Sequence, residues 1–378
     1  MSTPVRLSKC NLSEREVAGV QRVMQAEFLG MGPEVRAFEQ ELAAYIGGER
    51  EVICVANGTA ALHLALQGAG IGHGDEVLVP TITYLASFQA ISATGARPVA
   101  CDVRRSDLCL DVADARRRIT SRTKAIMAVH YASGLGDIDG IYDLAREFGL
   151  RVVEDAAHAF GCRRDGRLIG SFGDLVCFSF DGIKNITCGE GGALVTSDAA
   201  VAARVRDARL LAVQNDSEKR YAGQRSWEFD VHDQGWRYHM SDVFAAIGRV
   251  QLSRLDTEFA PKRVKAARLY SERLSGVEGV RLLGLDYGPV VPHIFPVLIE
   301  NGRRDAVRAA LIAAGYGVGI HYKPNHLLSY FADGESRPVA ETLYDQMLTL
   351  PMHVDLVPED QIALVQVLRA HLVGGTAP

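Results

Sequence analysis

Residues 52–102 read VICVANGTAALHLALQGAGIGHGDEVLVPTITYLASFQAISATGARPVACD, and this stretch decides the fold. VICVA (52–56) is a short apolar run rich in β-branched residues, which predicts a strand, while TAALHLALQ (59–67) is built from helix formers. EVLVP (76–80) and LASFQAISA (85–93) repeat the pair, and PVACD (98–102) begins a third. The strands are continuous apolar runs rather than alternating ones, as expected for a parallel sheet covered by helices on both faces. Between the first two pairs lies GAGIGHG (68–74), which resembles a dinucleotide-binding glycine motif. That motif needs a strand before it and a helix after it. Here the order is reversed, so the glycines predict a helix end and a turn, and a dehydrogenase reading loses its support.

Working outward, KAIMAVH (124–130) and RVVEDA (151–156) predict further strands, with the helix DGIYDLAREFG (139–149) between them. LVCFSF (175–180) and GALVTS (192–197) follow with no intervening helix, so one of them is expected to run antiparallel. Near the start, Ser13 and Glu16 form a capping box for an amphipathic helix. Beyond residue 240 a long helical pattern runs through AAIGRVQLSRLDTEF (245–259). A second unit then offers the strand VVPHIFPVLI (290–299) and the helices RDAVRAALIAAG (304–315) and EDQIALVQVLRAHL (359–372). We therefore expect a large α/β domain over 1–255 and a smaller α+β domain over 256–378.

Composition excludes several classes. The 378 residues carry 41 Lys+Arg against 46 Asp+Glu, a net charge of −5, and are 48% hydrophobic, which fits a globular protein and neither a disordered nor a fibrous one. With an acidic balance and no block of like charges, nucleic acid is not the expected partner. No apolar run approaches the roughly 18 residues of a membrane span. The opening MSTPVRLSKCNLSERE lacks the apolar centre of a signal peptide, so a cytoplasmic protein is expected. The seven cysteines are scattered, with no CxxC pair, so neither a disulfide framework nor a metal site is indicated.

Three places carry chemistry. Asn57-Gly58-Thr59 joins a predicted strand to a predicted helix, where free amides and the helix dipole favour an anion; an ordinary turn capped by Thr59 reads the same way. Asp155 ends a predicted strand at the edge where open α/β sheets bind ligands. Lys184 lies in SFDGIKNITCGEGG (179–192), a glycine-bounded loop after a buried strand, five residues beyond Ser179. A lysine partly desolvated there has a lowered pKa, which suits Schiff-base chemistry.

In combination, NGTAAL (57–62), PTITYLAS (80–87), EDAAHAFG (154–161), SFDGIK (179–184) with GEGG (189–192), MSDVFAAIG (240–248) and HYKPNH (321–326) resemble the DegT/DnrJ/StrS family of sugar aminotransferases. LPMHVDLVPED (350–360) fits the family's closing segment. The resemblance implies the aspartate aminotransferase fold (fold type I) and the cofactor pyridoxal 5'-phosphate. It implies that Lys184 carries the cofactor as a Schiff base and then moves protons, and that Asp155 pairs with the pyridine nitrogen. By the same resemblance Tyr84 stacks on the ring, His158 lies near its hydroxyl, and Gly58, Thr59 and Ser179 hold the phosphate. The implied reaction moves nitrogen from an amino acid, L-glutamate by family analogy, to a nucleotide-linked keto-sugar, with carbon 4 preferred over carbon 3. Such amino sugars enter surface polysaccharides or glycosylated natural products. A homodimer with shared active sites is implied as well.

The match departs from the family at GWRYHM (235–240), where the family usually reads Asn-Tyr-Arg-Met before its MS(D/E) motif. Arg237 stands where the Asn that reaches the partner's phosphate is expected, and is the candidate to replace it. The basic, aromatic stretch KRYAGQRSW (219–227) offers Arg225 for a nucleotide diphosphate, and HYKPNH offers His321, Tyr322 and His326 near the sugar. Two rival readings stand beside the aminotransferase. In the family's sugar-dehydratase branch a histidine replaces the lysine, but Lys184 is present here. A non-catalytic protein retaining the fold would have been free to lose Lys184, Asp155 or the phosphate residues.

Overall fold

The computed structural model describes residues 4–47 and 49–373. Its strands are β1 (Glu51–Val55), β2 (Glu76–Pro80), β3 (Arg97–Cys101), β4 (Thr123–Val129), β5 (Arg151–Asp155), a short hairpin of β6 (Arg163–Arg164) and β7 (Arg167–Leu168), β8 (Leu175–Ser179), β9 (Gly192–Thr196), β10 (Val280–Leu282), β11 (Phe295–Ile299) and β12 (Met347–Leu350). Seven of them make one sheet in the order β1-β9-β8-β5-β4-β2-β3. The connections through helices are parallel, while β9 runs antiparallel to both β1 and β8, as the missing helix before it requires.

Successive side chains of β8 enter opposite cores. Val176 and Phe178 pack with Phe38, Phe160 and Phe180 on one face, and Leu175 and Cys177 with Leu62, Val79 and Leu194 on the other. Burial on both faces is why LVCFS is apolar throughout. Ser13 and Glu16 form the capping box of helix Glu14–Gln25, and helix Gly58–Gly68 ends in a turn where Gly70 and Gly74 take positive φ.

The C-terminal unit is a three-stranded antiparallel sheet, β10-β11-β12, packed on helices Ala260–Leu274, Arg304–Ala313 and Pro358–Val373. Residue 255, near which the boundary is expected, opens a π-helical turn, Leu255–Phe259, which joins helix Asp242–Arg254 to Ala260–Leu274. The chain's start also belongs with this unit: Val5 bridges to Tyr316, the Met352 amide donates to the Leu7 carbonyl, and Lys9 pairs with Asp355 at 2.6 Å. The strand expected over 290–299 begins only at Phe295. Pro292 has no N–H for a ladder, and the His293 amide is taken at 3.1 Å by the Ser133 hydroxyl. Residues 290–294 therefore run as a buried loop along the junction of the two units.

Candidate active site

The carboxyl ends of β1, β4, β5 and β8 converge on a cavity of about 550 Å³, closed on its far side by residues 321–322. At the end of β1 the Asn57 side chain caps helix Gly58–Gly68 by accepting from the Ala60 amide at 2.8 Å. The Gly58 and Thr59 amides, first in the helix and facing the cavity, have no intrahelical acceptor and lie at the positive end of its dipole. A Cβ added at Gly58 would sit 2.8 Å from Ser179 Cβ, and one at Gly192 would sit 2.5 Å from the Asn57 backbone. Only glycine lets β8, β9 and the helix start close to this distance, which leaves a cradle of two amides and the Ser179 hydroxyl.

Asp155 ends β5, buried, with one carboxylate oxygen accepting from Ser87 Oγ at 2.7 Å and the other from the Ala157 amide at 3.2 Å. Ser87 is held in turn by Thr83 at 2.8 Å. Lys184 follows β8 in the loop, and the next residue fixes that loop: the buried Asn185 amide donates to the Phe160 and Val291 carbonyls at 3.0 and 3.1 Å. Burial lowers the Lys184 ammonium below an ordinary lysine, while Asp155 and Asp181 pull the other way.

The remaining wall is a group of imidazoles and phenols. His158 Nε2 lies 3.3 Å from the Tyr322 hydroxyl, and the Tyr84 ring, 61% exposed, lies 5.5 Å from that of Tyr322. His321 Nδ1 meets Thr349 Oγ1 at 2.9 Å, and its carbonyl accepts from the Tyr131 hydroxyl. Burial, reinforced by Lys184, holds His158 well below the usual histidine range and His321 down at about 4, so both rings are neutral near pH 7.

Gly58, Thr59, Tyr84, Asp155, His158, Ser179, Lys184, His321 and Tyr322 thus share one cavity. His326 does not line it: the ring is buried with Nδ1 on Thr81 at 2.7 Å and Nε2 on Glu341 at 3.1 Å, so both nitrogens are used in holding its own loop. Arg225 and Arg237 are exposed and outside the cavity lining of this chain, with the Arg237 backbone bridged to Leu210. Sequence reasoning missed Ser87, although it lies inside the quoted PTITYLAS, and it missed His293, whose ring stands 3.5 Å from Lys184 Nζ. No spacing signal marked His293, because it lay inside an apolar run read as strand.

The residues fit a pyridoxal phosphate: an amide-lined cradle for a dianion, a fixed carboxylate for a ring N–H, and a lysine, all facing one space. Comparison with known proteins agrees. A model of the DegT/DnrJ/EryC1/StrS aminotransferase family matches residues 11–369. Among solved structures, the chain is similar to the aminotransferase TlmJ from Streptoalloteichus hindustanus, with 34% identity, a TM-score of 0.90, and 97% of this chain and 98% of that one covered. DesV from S. venezuelae is 33% identical, with a TM-score of 0.89 and 99% and 100% of the two chains covered. The putative sugar aminotransferase Spr1654 from Streptococcus pneumoniae, solved in a PLP form, is 25% identical with a TM-score of 0.89 over 98% of both chains.

Proposed function

This chain belongs to the DegT/DnrJ/EryC1/StrS aminotransferase family, and we propose that it transfers the amino group of L-glutamate to the keto group of a nucleotide-linked sugar, at carbon 4, with pyridoxal phosphate as carrier. The observation that carries this reading is the meeting of Lys184, Asp155 and the open start of helix Gly58–Gly68 in one cavity. When bound, the cofactor supplies an aldehyde that accepts nitrogen and a ring that takes up the electrons of a broken C–H bond. Everything else falls to the chain. The Gly58 and Thr59 amides and Ser179 Oγ hold the phosphate. Asp155, oriented by Ser87 and the Ala157 amide, keeps a proton on the ring nitrogen. Tyr84 would cover the ring, and His158, which lies within reach of the Tyr322 hydroxyl, would border it.

Lys184 would anchor the cofactor through Nζ, and the free amine would take up a proton at that atom and give it back. Lowering of its ammonium by burial matches that duty, since a base must spend part of its time neutral. His321 and Tyr322 border the space left for the sugar. The active unit is a homodimer in which Arg237 and Arg225 serve the partner's cavity, on the cofactor phosphate and on the nucleotide diphosphate. Exposure supports this: Trp227 is 84% and Phe229 60% exposed in the same segment, an unusual burden for a single chain.

The test is the absorbance spectrum of the protein with pyridoxal phosphate, before and after L-glutamate, beside Lys184→Ala. In the wild type, glutamate should replace the visible band with that of pyridoxamine phosphate, and the variant should show no such conversion. A screen of nucleotide keto-sugars would then identify the acceptor. Unchanged spectra in the wild type would reject glutamate as donor.

A further inference from the structure

His293 is buried beside the reactive lysine, yet no motif assigns it a task. Its Nε2 lies 3.5 Å from Lys184 Nζ, and its ring stacks obliquely on His158 with centroids 4.4 Å apart. Both ends of its backbone are fixed. The amide donates to Ser133 Oγ at 3.1 Å, and the carbonyl accepts from the buried Arg263 guanidinium at 3.3 Å. Ser133 Oγ also donates to the His158 carbonyl, so one hydroxyl sets the spacing of the two imidazoles. A ring held this firmly at one nitrogen's reach of Lys184 is placed, not merely packed.

The tautomer follows from satisfying hydrogen bonds. Among the described residues Nδ1 of His293 is buried with no partner. A proton on Nδ1 would be a buried donor without an acceptor, whereas a bare Nδ1 lone pair is the cheaper defect. The proton therefore belongs on Nε2, which faces Lys184. A donor facing the lysine can be satisfied by the lone pair of a neutral amine and by nothing on an ammonium. Burial first, and then basic neighbours, keep the ring from charging: Lys184 from the loop after β8, His158 from the segment after β5, Arg263 from helix Ala260–Leu274 and His321 from the opposite wall. The acids nearby, Asp155 and Asp181, act on Lys184.

We infer that His293 is the seat of the free Lys184 amine, a positioning residue whose Nε2–H donates to the neutral Nζ and holds it aimed into the cavity, ready to combine with an aldehyde or to accept a proton. The inference rests on the reading of Lys184 as the cofactor's anchor. It accounts for a polar ring in an otherwise apolar loop, between Val291 and Ile294.

The test uses the full-length protein without cofactor and needs no turnover. Trace acetylation with acetic anhydride across pH, followed by mass spectrometry of the Lys184 peptide, titrates this lysine alone, with the exposed Lys219 as internal reference. His293→Gln keeps an amide donor at about the reach of Nε2, while His293→Asn carries the same amide one methylene short. His293→Asn should move the Lys184 midpoint up by about one pH unit, so that labelling at pH 8 slows about tenfold relative to Lys219. His293→Gln should retain the wild-type profile, and thermal melts identify any variant that fails to fold. Wild-type titration in His293→Asn, or equal shifts in both variants, would overturn the inference. A wild-type enzyme that ignores glutamate yet keeps the Gln/Asn difference would reject glutamate as donor and leave His293 as the lysine's seat.

Discussion

The cavity floor and the segment over residues 211–238 are built on opposite plans. On the floor, Asp155 is held by Ser87, Ser87 by Thr83 and the Lys184 loop by Asn185, all in the same chain. In the segment, Arg225, Trp227 and Phe229 stand in solvent. It is attached at its two ends: at one, Arg209 is completely buried and bonds to Glu39 at 2.6 Å, to the Cys54 carbonyl at 2.7 Å and to Ser217 and Tyr221 in the following helix, and at the other the Trp236 indole donates to Gln67 at 2.8 Å. The difference teaches where each kind of specificity resides. The groups proposed to serve the cofactor are written into sheet ends, whereas the segment proposed to serve a partner leaves its basic and aromatic side chains without a fixed place in this chain.

The most damaging way to break the floor is Lys184→Ala. We expect turnover to fall by at least about 10³-fold, measured as product formed per active site, with the fold intact by circular dichroism. Next comes the joint between the regions. Arg209→Leu leaves Glu39 buried with its countercharge gone, and unfolding in urea should report a loss of about 3–5 kcal/mol. Such a loss placed on the sheet as well as the segment would show that the two are one cooperative unit. Asp155→Asn keeps the shape of the floor but replaces an anion by a neutral amide. The glutamate half-reaction, followed by stopped-flow absorbance, should slow by roughly 10²-fold, with Ser87→Ala costing less because Asp155 keeps its second hydrogen bond.

This division also decides what could be read from residues alone. The β/α alternation over 52–102, Asp155 at a strand end and Lys184 in the loop after another strand were legible because burial on both faces of a parallel sheet leaves a pattern. The reversed β9 was legible because there was no helix to carry the chain back. His293 was hidden by that same rule: VVPHIFPVLI reads as one strand, and only the structure shows Ser133 intercepting its amide before the ladder begins. The surroundings of His326 were not legible either, since a histidine in a motif looks the same whether its ring faces a cavity or Thr81 and Glu341. The start of the chain joining the C-terminal unit left no local mark, because pairing across more than 300 residues is invisible to periodicity.

The exposed segment offers a gentler test. If Arg237 reaches a partner's phosphate, Arg237→Ala should weaken cofactor binding about tenfold in a fluorescence titration, the worth of one charge-assisted hydrogen bond, without lowering the melting temperature of the cofactor-free chain. Unchanged affinity would leave Arg237 as a surface residue and narrow the comparison to Arg225.

The smallest effect concerns the cavity wall and acid. His321 is neutral in the fold with its pKa near 4, whereas an unfolded histidine titrates near 6.5. Because the folded value lies below the unfolded one, the unfolded chain binds the extra proton first, and stability falls as pH drops from 6.5 toward 4. His158 and His293 push in the same direction. Between pH 6.5 and 5.5 one such histidine contributes about 1 kcal/mol of this loss. His321→Asn can keep a contact with Thr349 while removing the titrating ring, so its urea midpoint should fall less steeply over that interval, by about the same 1 kcal/mol. An unchanged slope would mean that the ring takes up its proton while the chain is still folded. In that case the wall would take on charge before the protein unfolds, and it would behave like the exposed segment rather than like the floor.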